Sequence, residues 1–114
     1  MLLIAGRTDV EKLIAGDVDG KPFTQIVVGT SSTAVAETDT ALTGAFAKDI
    51  TTVNYFTDGH VQFNTLLESA DAAMTIQEVG LLNSDGVLCY RKVVPAISKV
   101  VGVTLAVQYK IKVQ

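Results

Sequence analysis

The sequence predicts an antiparallel β-sandwich with one short N-terminal helix, built as a single domain over residues 1–114. Three observations carry that prediction. Apolar alternation runs through 101–113, where Val101, Val103, Leu105, Val107, Tyr109, Ile111 and Val113 interleave with small or polar residues. Two tight-turn signals, Asp58-Gly59 and Asn83-Ser84-Asp85-Gly86, each stand between strand-like runs. A helix-like segment with its own start and stop signals occurs once, near the N-terminus, so the other elements are strands with antiparallel-type connections.

The helix is expected over "TDVEKLIAG". Thr8 is the N-cap and Glu11, three residues on, completes a capping box. Asp9 then sits at the positive end of the helix dipole, Val10, Leu13 and Ile14 form one apolar face, and Gly16 stops the helix. "DVDGKP" turns the chain into a strand at 23–29. The polar, small-residue stretch 30–42 has no periodicity and reads as a long loop, with Thr38-Asp39-Thr40 capping a single turn near Leu42. From Lys48 the pattern is β. With Asp58-Gly59 as a two-residue loop, Thr57 faces His60, and Ile50, Thr52, Phe56, Val61, Phe63, Thr65 and Leu67 share one face. His60, Gln62 and Asn64 lie on the other, with Tyr55 and Val53. The second hairpin turns at 83–86, where Asn first and Gly last suit a type I turn with a glycine bulge. Pro95 ends its returning strand, and 101–113 forms the last of about six strands.

Composition narrows the function classes. Hydrophobic residues make up 48% and charged ones 18%, which fits a globular chain with one modest core rather than disorder. The net charge of −3, with no basic stripe, argues against nucleic-acid binding. Cys89 is the single cysteine, so no internal disulfide forms. The apolar run Leu2–Ala5 is too short for a signal peptide, and no stretch reaches the length of a membrane span.

Catalytic chemistry finds little to work with. His60 is the lone histidine and stands beside a turn; nothing by motif brings it to Cys89, which reads as a small core residue. There is no His or Cys pair for a transition metal. "DVDGKP" lacks the distal glutamate of a calcium loop, and "VVGTSST" lacks the glycine spacing and lysine of a phosphate loop. The reading is a non-enzyme with no cofactor, no metal and no catalytic residue.

One position resists the strand pattern. Glu78 stands within the apolar run "IQEVGLL", two residues before Gly80. Alternation through Met74 and Ile76 puts Glu78 on their side and Val79 and Leu81 on the other. Either both faces are buried here, or a bulge changes phase near Gly80. A buried carboxylate needs partners, so Glu78 should meet backbone N–H groups, Arg91 or Lys92, or a neighbouring subunit. Asp71 and Asp85 lie in turn-like stretches, so no second carboxylate faces it, and a structural role outweighs a catalytic one.

Taken in order, these segments resemble a family of small phage structural proteins described as tail-fibre-like, tail-collar-like or baseplate-associated. The resemblance rests on Leu13 to Gly16, on Phe23 to Thr30, on the loop closing Thr38-Asp39-Thr40-Ala41-Leu42, and on Ile76, Glu78, Val79, Gly80, Leu81, Asp85, Gly86 and Leu88. It departs at Ser31, where the family pattern has a second glycine, and no long fibre shaft follows. The resemblance implies a virion component made in the bacterial cytoplasm: a tail, collar or baseplate subunit that docks on other phage structural proteins, without membrane or nucleic-acid contact. The alternatives are a head decoration protein or a host-surface carbohydrate-binding module. The second is disfavoured by the absence of Trp and the presence of only 3 Tyr for stacking on sugars. A homo-oligomer is expected, trimer or hexamer first, with 30–42 or 101–113 at the contact. Glu78, Gly80, Thr38, Asp39, Thr40 and Tyr109 are the structural or interface candidates.

Overall fold

The computed structural model describes residues 1–112. In chain order the elements are α1 (Ile4–Ala15), β1 (Phe23–Gly29), β2 (Phe46–Asp49), β3 (Thr52–Tyr55), β4 (His60–Leu67), β5 (Met74–Asn83), β6 (Leu88–Lys99) and β7 (Leu105–Lys112). One sheet has the order β2-β1-β5-β6 and the other β3-β4-β7, and all neighbouring strands are antiparallel. The architecture is the expected antiparallel sandwich with one short helix.

The two sheets are joined along one side. The Ile50 N–H donates to the Thr24 carbonyl (2.9 Å), whereas the next N–H, of Thr51, donates to the Asn64 carbonyl (2.8 Å). Successive N–H groups of an extended chain point in opposite directions, so β2 and β3 are two halves of one strand lying between β1 and β4, and that strand switches sheets. The opposite side stays open between β6 and β7. There Tyr90 meets Tyr109 edge-on at 6.2 Å, and Lys92 Nζ lies 4.5 Å from the centre of the Tyr109 ring.

The core has two layers. Ile26, Val28, Val79 and Leu81 face Leu67, Val107 and Tyr109 between the sheets. Val27 and Leu88, on the outer face of the larger sheet, pack under Leu3 and Leu42. Strand β5 is therefore buried on both faces, which is why its sequence does not alternate. A phase change also exists, but at Gln77: the β5–β6 ladder shifts between Ile76 and Glu78, and Ile76 joins Val79 and Leu81 in the inner layer. Pairing through Gly80 itself is regular.

Several expected boundaries differ. The helix begins four residues before Thr8, after Leu3, because Leu3 is wholly buried and its N–H donates to the Cys89 carbonyl (2.8 Å), docking the chain on β6 before the helix starts. Thr8 and Asp9 are thus inside the helix. Asp9 instead accepts from the Lys21 N–H (2.6 Å), holding the turn that follows Gly16. The turn expected near Leu42 is present at Thr43-Gly44, and a second turn lies earlier, at Glu37-Thr38, where Asp39 N–H reaches the Ala36 carbonyl (2.9 Å). The first hairpin is slipped by one residue: Tyr55 pairs with Val61, and the Phe56 N–H donates to the His60 carbonyl (2.9 Å). Three residues, 57–59, make the loop, with Gly59 at φ 90° supplying the left-handed position. The slip exchanges the faces of β3, so Val53 and Tyr55, not Thr52 and Phe56, share the inner face with Val61 and Phe63.

Pro95 does not end β6. It lies in an edge strand at an irregularity, since β6 carries extra residues between Val93 and Ile97, and there a missing N–H breaks no ladder bond. The last strand starts at Leu105 rather than 101. Residues 100–103 form the turn between sheets, in which Gly102 N–H donates to the Ser69 carbonyl (2.7 Å), so Val101 and Val103 are exposed. Val113 lies outside the described residues. The turn at 83–86 is as expected: Gly86 N–H donates to the Asn83 carbonyl (2.9 Å), and Asn83 Oδ1 accepts from the N–H groups of Asp85 and Val87.

Cys89 is wholly buried beneath α1, where a Cβ on Gly6 would come within 2.5 Å of its Sγ. Burial pushes the thiol up to about 11, with the charge of Asp9 adding to the effect. The folded protein should therefore resist alkylation at neutral pH and react only on unfolding. Rapid labelling of the native protein by a soluble maleimide, followed by mass spectrometry, would contradict this placement.

Candidate functional site

The site forms where β1, β5 and β6 run side by side under the loop that leaves Gly29. In the register of the sheet, Gly29 stands opposite Glu78, and Gly80 stands opposite both Val27 and Arg91. Opposed residues share a face, so Glu78 and Arg91 both point outward from the sandwich core and up against the loop. The Glu78 side chain is 1% exposed and that of Arg91 4%. A charge held so far from water needs a full set of partners.

Glu78 has them. Oε1 accepts from Arg91 Nε at 2.8 Å. Oε2 accepts from the Ser31 N–H (2.9 Å) and from the Thr43 N–H (3.0 Å), residues from opposite ends of the loop. Arg91 spends its remaining nitrogens on the same loop: NH1 donates to Asp39 Oδ2 (3.1 Å) and NH2 to the Thr33 carbonyl (2.9 Å). Asp39 Oδ2 also accepts from the Ala36 N–H (2.9 Å), which fixes the turn at 36–39. Gln77 Nε2 donates to the Thr30 carbonyl (3.1 Å), and the Thr30 N–H returns to the Thr43 carbonyl (3.0 Å). One carboxylate and one guanidinium thus tie down residues 31, 33, 39 and 43 of an otherwise irregular segment, and Gln77 holds residue 30.

Two glycines make the room. A Cβ on Gly29 would lie 2.6 Å from Glu78 Oε2 and 2.8 Å from the Thr43 carbonyl oxygen. Only a residue without one lets the carboxylate lie flat against β1. On Gly80 a Cβ would meet the Tyr90 carbonyl oxygen at 2.6 Å and Leu88 Cδ1 at 2.7 Å. Gly80 therefore lets β6 close onto β5 at the level of Arg91.

Of the sequence candidates, the structure brings together Glu78, Gly80 and Asp39, and it adds Arg91, which the sequence reading named as one option for Glu78. Thr38 and Thr40 flank Asp39 and are exposed. Tyr109 stands apart: it is 3% exposed in the inner layer, and burial raises its phenol above the ordinary range, with Tyr90 adding to the shift. Gly29, Ser31, Thr33 and Thr43 are not among the structural or interface candidates that the sequence offers. Backbone donors carry no sequence signal of their own, but a glycine ending an apolar strand just before a small-residue loop is the trace that Gly29 leaves.

A third buried charge, unmarked in the sequence, lies apart from this pair. Lys99 is 2% exposed and donates to the carbonyls of Val100 (2.8 Å) and Asp71 (3.2 Å). Lys48 reaches Asp71 Oδ2 at 3.1 Å. The Glu68 N–H, and then Lys48 and Lys99, hold the Asp71 carboxyl below the usual range. This cluster fastens the 68–71 turn across one end of the sandwich. Elsewhere, an apolar groove of about 930 Å³ opens between Leu13 and Ile14 of the helix and Val53, Tyr55 and Phe63.

Chemically, the Glu78–Arg91 arrangement holds rather than reacts. Both carboxylate oxygens and all three guanidinium nitrogens are engaged, so proton transfer would require breaking the contacts that keep the charges buried. Among the described residues, no buried side-chain nitrogen or oxygen lacks a hydrogen-bond partner, and no cluster of three or more His, Cys, Asp or Glu is placed to hold a metal ion. Compared with known proteins, the chain matches no family model, no curated protein and no solved structure.

Proposed function

We propose that this chain is a non-enzymatic structural subunit of a bacteriophage or prophage particle, placed in the tail, collar or baseplate, which self-assembles and docks on other particle proteins. One observation carries the reading. Some of the positions on which the family resemblance rests, from separate stretches of chain, converge on one structural device: Gly29-Thr30, Asp39, Glu78 and Gly80 meet around the Glu78–Arg91 pair and its neighbour Gln77. The device fixes a loop whose outward residues, among them Ser32, Ala34, Ala36, Thr38, Thr40 and Ala41, are small and exposed and, apart from Glu37 paired with Arg7, uncharged. Such a surface covers well: little charge is desolvated on contact, and a loop already held in place loses little freedom.

The test is the particle. Particles released from a lysogen or lysate carrying the gene should contain this chain in fixed stoichiometry by quantitative mass spectrometry. A density map should then place residues 30–43 against a neighbouring subunit. Absence of the chain from purified infectious particles, or a loop facing bulk solvent on all copies, would overturn the reading.

A further inference from the structure

We infer that the protein assembles head-to-tail, the open β6/β7 side of one copy docking on the closed β2/β3 side of the next, with β7 running parallel to the neighbour's β3. This rests on the self-assembling reading above and specifies the surface. It follows from comparing the free strand edges, which differ in how they are protected. The edge of β6 is occupied in part by the N-terminal residues, since Leu2 bridges Tyr90, and is broken by Pro95 and its extra residues. The edge of β2 is short and carries Lys48 and Asp49. Strand β3 is as short as β2 but lacks the charge, proline and covering chain of the other two: all four of its residues are exposed, and no charge occurs between Thr51 and Thr57. Strand β7 is long and regular, with Lys110 and Lys112 exposed on its outer face.

Charge selects between the pairings that these two edges allow. Every charged residue after Gly86 is basic: Arg91, Lys92, Lys99, Lys110 and Lys112. On the other side of the sandwich the residues flanking β3 are acidic, Asp49 before it and Asp58 after it, both exposed. An antiparallel pair of two β3 edges sets Asp58 of each copy beside Asp49 of the other. A pair of two β7 edges centred on Tyr109 sets both Lys110 side chains diagonally across one face. Like charges oppose both symmetric pairings. The mixed pairing reverses this. Strands β3 and β7 point the same way, because each is antiparallel to β4, and rotation about an axis along the strands keeps that direction. Val107 and Tyr109 then lie beside the neighbour's Val53 and Tyr55, inner face with inner face, and Lys112 falls beside the neighbour's Asp58. The interface is heterologous, so repetition closes a ring where the rotation between copies divides a full turn and runs on as a filament where it does not, and repulsion opposes the two-fold dimers.

The test uses charge exchange on the full chain. Wild-type protein should form a closed oligomer by sedimentation equilibrium. Lys110→Glu with Lys112→Glu in one variant, and Asp49→Lys with Asp58→Lys in another, should each fold, as judged by circular dichroism, and each shift the assembly midpoint at least about tenfold to higher concentration. Mixing the two variants in equal amounts should restore assembly, fully in a ring with an even number of copies and in part in a trimer, which keeps one like-charged junction, because each variant supplies the side that the other lacks. If both variants assemble like wild type, or the mixture does not recover, the head-to-tail surface is wrong while self-assembly stands. A wild-type chain that stays monomeric at its highest soluble concentration, and makes no contact with its own copies in the particle, removes both.

Discussion

Glu78→Leu is expected to destabilise the fold by about 3–5 kcal/mol, the usual consequence of removing one member of a buried, hydrogen-bonded ion pair. The substitution leaves Arg91, with a side chain 4% exposed, without the acceptor of its Nε. It also strands the N–H groups of Ser31 and Thr43 beneath the loop. Leucine fills much the same volume and is apolar, so a loss of this size would come from orphaned polar groups and not from a cavity. Glu78→Gln keeps an acceptor for one or two of the three donors but brings an N–H₂ group toward the rest, and should fall between wild type and Leu. Urea denaturation checks the order. A Glu78→Leu protein within about 0.5 kcal/mol of wild type would fit an ordinary surface substitution and not this site.

Gly80→Val should be at least as damaging, about 3 kcal/mol or more, at the upper end of what overpacking costs. The Cβ itself would sit 2.6 Å from the Tyr90 carbonyl oxygen, so the clash is with backbone and no side-chain rotation relieves it. Strand β6 would have to move off β5, carrying Arg91 away from Glu78. Because the contact is made by the first side-chain atom, Gly80→Ala should share most of the loss. The check is thermal unfolding with and without Leu88→Ala. Trimming Leu88 relieves the 2.7 Å contact with its Cδ1 but not the contact with the carbonyl, so rescue should be partial at best. An alanine variant melting with wild type would show that the strands have more room here than the structure gives them.

Much of the fold was legible because local signals and burial agreed. Strand β1 at 23–29 and the turn at 83–86 lie where composition and turn chemistry put them. The misplacements share a cause: tertiary contacts outweighed a local rule. A capping box at Thr8-Glu11 is real as a pattern, but burying Leu3 and pairing it with Cys89 starts the helix earlier. Pro95 is a sound strand breaker except on an edge at an irregularity. Asp58-Gly59 named the right turn, yet a three-residue loop in place of two moved the register by one and exchanged the faces of β3. The switch of one strand between sheets over 46–55 has no sequence mark at all, because the β pattern from Lys48 reads as one uninterrupted strand.

The site was half legible for a similar reason. A carboxylate in an apolar run announces that something must satisfy it, so Glu78 stood out, and Arg91 with backbone N–H groups were its natural partners. What satisfies it from above could not be read, since the donors of Ser31 and Thr43 belong to the backbone and stand 47 and 35 residues away in the chain. The irregular loop then has a physical explanation. It needs little periodicity of its own because a buried carboxylate and guanidinium set its path from below.

Native-state hydrogen exchange tests that claim most directly. If Glu78 and Arg91 pin the loop, the Ser31 and Thr43 amides should exchange as slowly as those in the centres of β1 and β5, because releasing them requires opening the buried pair. Exchange of both amides at the rate of an unprotected loop, while the neighbouring strands remain protected, would contradict it.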